Sequence, residues 1–134
     1  MEMNEATARL VMDLDGFLKH FPVKIEDVGP GHCDLSIELV DFVMRPGGIM
    51  NGGAIMSLCD LAGGISAMSL QDVRNAFTVD LNTQFIEMIN NGPVKFHGEV
   101  IRAGKSTAFI DIDVRDSKGK LCSRSTGIWK IIRE

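Results

Sequence analysis

The chain has 134 residues, 45% of them apolar and 24% charged, the balance of an ordinary globular protein able to build a core without disulfides or metals. Its net charge is −4 and no stretch is strongly basic, which argues against a general nucleic-acid binder. Cys33, Cys59 and Cys122 are odd in number and lack CxxC spacing, so neither a disulfide framework nor a metal site is expected, and a reducing, cytoplasmic setting fits best.

In chain order, residues 4–21 read as a helix. Leu10, Val11, Leu14, Phe17 and Leu18 recur near helical spacing, Asn4 offers an N-cap and Pro22 stops the run. The first ten residues carry Glu2 and Glu5 and lack the apolar stretch of a signal peptide. Residues 23–28 form a short strand, Gly29-Pro30-Gly31 has turn chemistry, and residues 33–39 alternate apolar and polar with period two. Residues 41–50 are a loop containing Pro46-Gly47-Gly48. Asn51 then caps a helix over residues 52–70 that is apolar or small almost all round, with Asp60 its one ionisable group. Such a helix is buried on most sides. It is shorter than the roughly 20 apolar residues that a membrane span needs, and no membrane association is expected.

The second half is rich in strands. Residues 77–86 partly alternate, and Asn91-Gly92-Pro93 is a break. Residues 94–102 carry Val94, Phe96, Gly98, Val100 and Arg102 on one face. Residues 106–115 align Ala108, Ile110, Ile112 and Val114, Ser117-Lys118-Gly119 turns, and residues 120–132 close the sheet. With no repeat or linker, a single domain over residues 1–134 is expected. It is α+β, a curved antiparallel sheet wrapped around a long central helix, with an N-terminal helix within residues 1–21. The sheet edges of so small a domain need covering, which predicts oligomerisation.

Two features of residues 45–60 bear on chemistry. Gly52-Gly53 lies at a helix start, where backbone N–H groups lack partners and the helix dipole is positive, and glycine lets a ligand approach closely. Such a terminus can stabilise a developing oxyanion. Asp60 sits about two turns further on, where a carboxylate is costly unless it is partnered or faces a cavity. Taken singly, each has a plainer explanation, in turn chemistry for the glycines and a salt bridge for the aspartate.

Together, in the order helix, two strands, long apolar helix, four strands, they resemble the hotdog-fold acyl-CoA thioesterases of the phenylacetate-degradation (PaaI-like) type. Asn51-Gly52-Gly53 and Asp60 stand where that family has a Gly-Gly pair opening the central helix and an acid further along. Residues 78–85 and 103–108 also resemble its third strand and the hairpin after its fourth. The resemblance implies a thioester hydrolase acting on a fatty or aryl acyl-CoA without a cofactor or metal. Asp60 would serve as nucleophile or as general base toward water, and the Gly52 N–H would polarise the thioester oxygen. The Thr78 hydroxyl would help to place the water. Gly53 and Ser106 would touch substrate, and Arg102, Lys105 and Arg74 would hold the CoA phosphates. It implies a homodimer or homotetramer in which Asp60 of one chain meets Gly52 of another.

The chain departs from the family pattern at Asn51, where His is usual, and at Arg45, where Asn or Gln is common. Asn51 can still donate an amide hydrogen bond. Arg45, a permanent cation, can pair with Asp60 or bind an anionic acyl group. These departures raise the alternative of a non-catalytic acyl-CoA-binding hotdog protein. A hotdog dehydratase needs a His–acid pair, and none of His20, His32 and His97 lies on the central helix or the loop before it. Ser57, at i, i+3 to Asp60, can face the same side. Cys59 and Trp129 read as core, and the methionines at 44, 50, 56, 68 and 88 as core or as acyl-pocket lining.

Overall fold

The computed structural model describes residues 2–134. Its helices are α1 (Glu5–Leu14) and α2 (Gly52–Met68), and its strands are β1 (Val23–Gly29), β2 (His32–Ile37), β3 (Met44–Arg45), β4 (Ile49–Met50), β5 (Val73–Phe85), β6 (Val94–Ala103), β7 (Thr107–Arg115) and β8 (Leu121–Arg133). Six strands form one sheet in the order β1-β2-β6-β7-β8-β5, every neighbour antiparallel. β3 and β4 form a separate two-stranded hairpin, tightened by Gly47 and Gly48 at φ 99° and 75°. Helix α2 touches all six strands of the large sheet, which is the wrapped-helix arrangement of the hotdog fold.

Alternation explains the inner face. Ala108, Ile110, Ile112 and Val114 of β7 are buried, as are Cys33, Leu35 and Ile37 of β2. The helix lies close against the sheet because two contacts lack side chains. A Cβ on Gly63 would sit 2.2 Å from the Trp129 ring, and one on Gly98 would sit 2.7 Å from Ser66 Oγ and 3.0 Å from the Ala62 carbonyl oxygen. Trp129 fills the first of these gaps and is almost wholly buried.

The structure corrects several boundaries. The expected helix over residues 4–21 stops at Leu14. Asp15 is extended there, and its carboxylate accepts hydrogen bonds from the Phe17 and Leu18 N–H groups, starting a single 3-10 turn at Leu18–His20. Its core side is Ala8 and Met12, while Leu10, Leu14 and Phe17 are exposed. The capping box of Asn4 and Thr7 sets its start. Helix α2 ends at Met68, two residues short of the expected end, with Ser69 as its C-cap. The face expected along residues 94–102 breaks at a register shift between Val100 and Arg102, so Arg102 does not continue the row of Val94, Phe96 and Gly98. The expected loop 41–50 holds a 3-10 turn at Asp41–Val43 as well as the β3–β4 hairpin.

Candidate active site

Helix α2 begins at a free end. The Asn51 side-chain oxygen accepts from the Ala54 N–H at 3.1 Å, and the Asn51 carbonyl accepts from Ile55. The N–H groups of Gly52 and Gly53 have no hydrogen-bond partner among the described residues. They remain available to an incoming oxygen at the positive end of a 17-residue helix. Asn51 is therefore the helix cap first, and only its amide NH2 is left to donate to a ligand.

Beside this end is a cleft of about 280 Å³ lined by Arg45, Ile49, Met50, Gly52, Ile55, Phe85, Ile86, Glu87, Met88 and Ile89. Its walls are mainly apolar, and Met50 and Met88 contribute to them as the sequence allowed. Glu87 is paired with Lys120 at 3.4 Å, while Arg45 forms no ion pair among the described residues, with Asp60 or any other acid. A larger cleft of about 470 Å³ lies at the far end of α2. Among the described residues it is lined by Glu2, Asp72 and Glu134 and by no Lys or Arg, an acidic lining that does not suit the phosphates of a nucleotide carrier.

Asp60 is half-buried, and Thr78 Oγ1 donates to its Oδ1 at 2.5 Å. This bond joins α2 to β5 next to a bulge between Thr78 and Asp80. Bulges re-aim side chains, and this one lies beside the hydroxyl that meets the acid. Ser57 turns the other way, donating to the Gly53 carbonyl at 2.8 Å, so it is not a partner of Asp60. The thiols offer no nucleophile. Burial pushes the Cys59 thiol up to about 12 and also raises the thiols of Cys33 and Cys122.

Residues 47–123 match the family model of the thioesterase superfamily. The chain belongs to that superfamily. It is 39% identical over 123 residues to a provisionally named esterase of Thermoplasma acidophilum, Ta0293, covering 92% of this chain and 93% of that one. The crystal structure of the Haemophilus influenzae thioesterase HI1161 superposes with a TM-score of 0.84 at 20% identity, covering 95% of this chain and 88% of that one. A Streptococcus pneumoniae hypothetical thioesterase, crystallised with coenzyme A, superposes with a TM-score of 0.75 at 21% identity over 84% of this chain and 87% of that one.

In this thioesterase one chain does not gather all the expected site residues. Gly52 and Asp60 are eight positions apart on one helix, about 12 Å along its axis. Phe85 lies beside Gly52 at the last residue of β5, whereas Thr78, which meets Asp60, stands near the middle of that strand. Lys105 and Ser106 are exposed in the β6–β7 turn, where their carbonyls accept from Arg133 Nε and the Ile131 N–H. Arg102 is exposed near the same turn, and Arg74 is exposed on β5. The chain thus presents an oxyanion-type donor at one end and a carboxylate with basic side chains toward the other. Sequence reading missed one cluster, Asp27, His32, Asp34 and His97 on the outer face of the sheet. No local spacing signals it, because three strands contribute.

Proposed function

We propose that this thioesterase hydrolyses an acyl-CoA with a fatty or aryl acyl group, at a site that two copies of the chain share. The observation carrying the reading is the pair Asp60–Thr78, a hydroxyl-bound carboxylate on an otherwise apolar helix, about 12 Å from the free Gly52 N–H. No single thioester carbonyl spans that gap, whereas a two-fold partner supplies the missing half.

Strand β5 supports such a pairing. It is the 13-residue edge of the sheet, with Phe77, Val79 and Phe85 exposed. A long, unpaired edge with apolar side chains in the open invites an antiparallel copy of itself. Thr78 marks the Asp60 end and Phe85 the Gly52 end, so a two-fold axis near Leu81 and Asn82 brings Asp60 of one chain to Gly52 of the other.

In that site the Gly52 N–H binds the thioester oxygen as it gains charge. Asp60 either attacks the carbonyl carbon or takes a proton from water that does, and Thr78 holds the carboxylate in place. The carbon–sulfur bond then breaks. If Asp60 acts as base, it returns the proton taken from water to the departing sulfur; if Asp60 attacks, the thiolate leaves a mixed anhydride on Asp60 that water then cleaves, and by either route water supplies the hydroxyl of the free acid and the proton of the CoA thiol. The apolar cleft beside Gly52 takes the acyl group, while Arg102, Lys105 and Ser106, with Arg74, are the groups for the CoA phosphates. Coenzyme A in the pneumococcal relative supports the choice of thiol.

The test is thiol release from benzoyl-, phenylacetyl-, hexanoyl- and palmitoyl-CoA, with Asp60→Asn run in parallel. Release by the wild type that falls by at least about 100-fold in the variant is expected. Full activity in Asp60→Asn would remove Asp60 from the mechanism. Acyl-CoA binding without release by the wild type would favour a non-catalytic acyl-CoA-binding role.

A further inference from the structure

The outer face of the sheet, across it from α2, carries a cluster that the thioesterase site does not use. His32 and Asp34 alternate outward from β2, while Cys33 and Leu35 point into the core. Asp34 stands opposite Asp27 on β1 and opposite His97 on β6. Like charges directly across a strand pair are destabilising, so the Asp27–Asp34 pairing calls for a positive partner. No Lys or Arg forms an ion pair with Asp27, Asp34 or Glu99 among the described residues.

Two backbone features create the pairing. β1 has a bulge between Ile25 and Asp27, which inserts Glu26 and turns Asp27 to face Asp34. Gly29 leaves a notch that the His32 imidazole fills, since a Cβ there would sit 2.2 Å from the ring. Through that notch His32 Nε2 reaches Asp27 Oδ2 at 2.9 Å. One ligand-capable atom from each of Asp27, His32 and Asp34 lies within 4.8 Å of the other two. Behind them His97 Nδ1 is 2.6 Å from Asp34 Oδ1, and the two imidazoles stack at 6.4 Å.

We propose that Asp27, His32 and Asp34 form a binding site for a divalent transition metal, best suited to Zn²⁺, with His97 orienting Asp34 from behind. An imidazole nitrogen and two carboxylate oxygens, with water in the open position, make a tetrahedral zinc set, whose bonds of about 2.0–2.2 Å put the ligand atoms about 3.3–3.5 Å apart. The observed atoms lie within 4.8 Å of one another, so the set closes by about 1.5 Å at most on taking up the ion. The imidazole favours zinc over magnesium, which prefers an all-oxygen shell. A carboxylate held by a second imidazole is the kind of outer-shell support that metal ligands have. Bound there, the ion fastens the edge strand β1 to β2.

The measurement is calorimetric titration of the full chain, stripped with EDTA and dialysed, with ZnCl₂ and separately with MgCl₂ in a non-coordinating buffer at pH 7.5. Saturable binding of about one Zn²⁺ per chain is expected, with no comparable binding of Mg²⁺. Gly29→Ala keeps every ligand but pushes the His32 ring out of its notch. It should weaken binding by about 10-fold or more, as should His32→Gln and Asp34→Asn. His20→Gln, with its histidine outside the cluster, should bind like the wild type, and thioester turnover should stay unchanged in His32→Gln. Apo melting temperatures show which variants fold, and any folded member of the three serves. Absence of saturable zinc binding, or equal binding by the wild type and these variants, overturns the proposal.

Discussion

Thr78 Oγ1 lies 2.5 Å from Asp60 Oδ1, the one side-chain bond linking β5 to the carboxylate of the central helix among the described residues. It restricts the carboxylate, whose second oxygen has no hydrogen-bond partner among the described residues. Hydrogen bonds to charged groups contribute about 1.5–3 kcal/mol. Thr78→Val should therefore lower kcat by about 10-fold or more with little change in KM, whereas Thr78→Ser should keep most of the rate. Steady-state thiol release measures both, and an unaltered kcat in Thr78→Val would separate the hydroxyl from the chemistry.

Val79 is 65% exposed at the bulge of the β5 edge strand. Replacing it with Lys puts a charge into the seam of a β5–β5 dimer, the standard way that edges resist pairing. Val79→Lys should shift sedimentation toward monomer and reduce activity in parallel. A fully active monomer would rule out the shared site.

Gly63 faces Trp129 with no room for a methyl group. Overpacking of this kind costs about 1–3 kcal/mol. Gly63→Ala should lower the unfolding free energy obtained from urea titration by an amount in that range, moving the midpoint down, and Trp129 fluorescence should report a displaced ring. An unchanged midpoint would mean that the helix–sheet spacing adjusts freely.

Asp116 accepts hydrogen bonds from the Lys120 and Lys118 N–H groups at 3.0 and 2.9 Å, closing the β7–β8 turn. These bonds, the Lys120 one foremost, hold its carboxyl below the ordinary aspartate value. A carboxyl with a depressed folded value stabilises the fold above about pH 4 and loses that contribution as pH falls through the depressed value. Asp116→Asn should melt lower than wild type at pH 6, and the gap should narrow toward pH 3. A gap independent of pH would point to lost packing instead.

The strands were legible where alternation runs unbroken. All four residues expected inside on β7 are buried, because nothing interrupts the period. Legibility failed where one residue shifts the register. Arg102 follows an irregularity in β6, and Asp27 turns outward at one in β1, which no window of apolar spacing reveals. The N-terminal helix is shorter than its apolar spacing suggests, because Leu14 and Phe17 are exposed and the Asp15 carboxylate, accepting from the Phe17 and Leu18 N–H groups, ends it. At the candidate site, Gly52 and Asp60 were visible from local pattern. The Thr78 contact came only with the family resemblance, since 18 residues separate it from Asp60. The pairing of Asp34 with His97 spans 63 residues and depends on β2 lying beside β6, a neighbour relation that sequence order hides.

Helix α2 carries the free Gly52 N–H at its first residue and the Asp60 carboxylate two turns later. In a shared-site dimer, each helix then serves two separate reactions, giving its beginning to one and its middle to the other. Inheritance of a defect follows from this. A chain damaged at Asp60 and another damaged at the start of α2 are each inactive alone. Paired, they place both lesions in one site and leave the second whole, so two dead alleles restore activity in the mixed dimer.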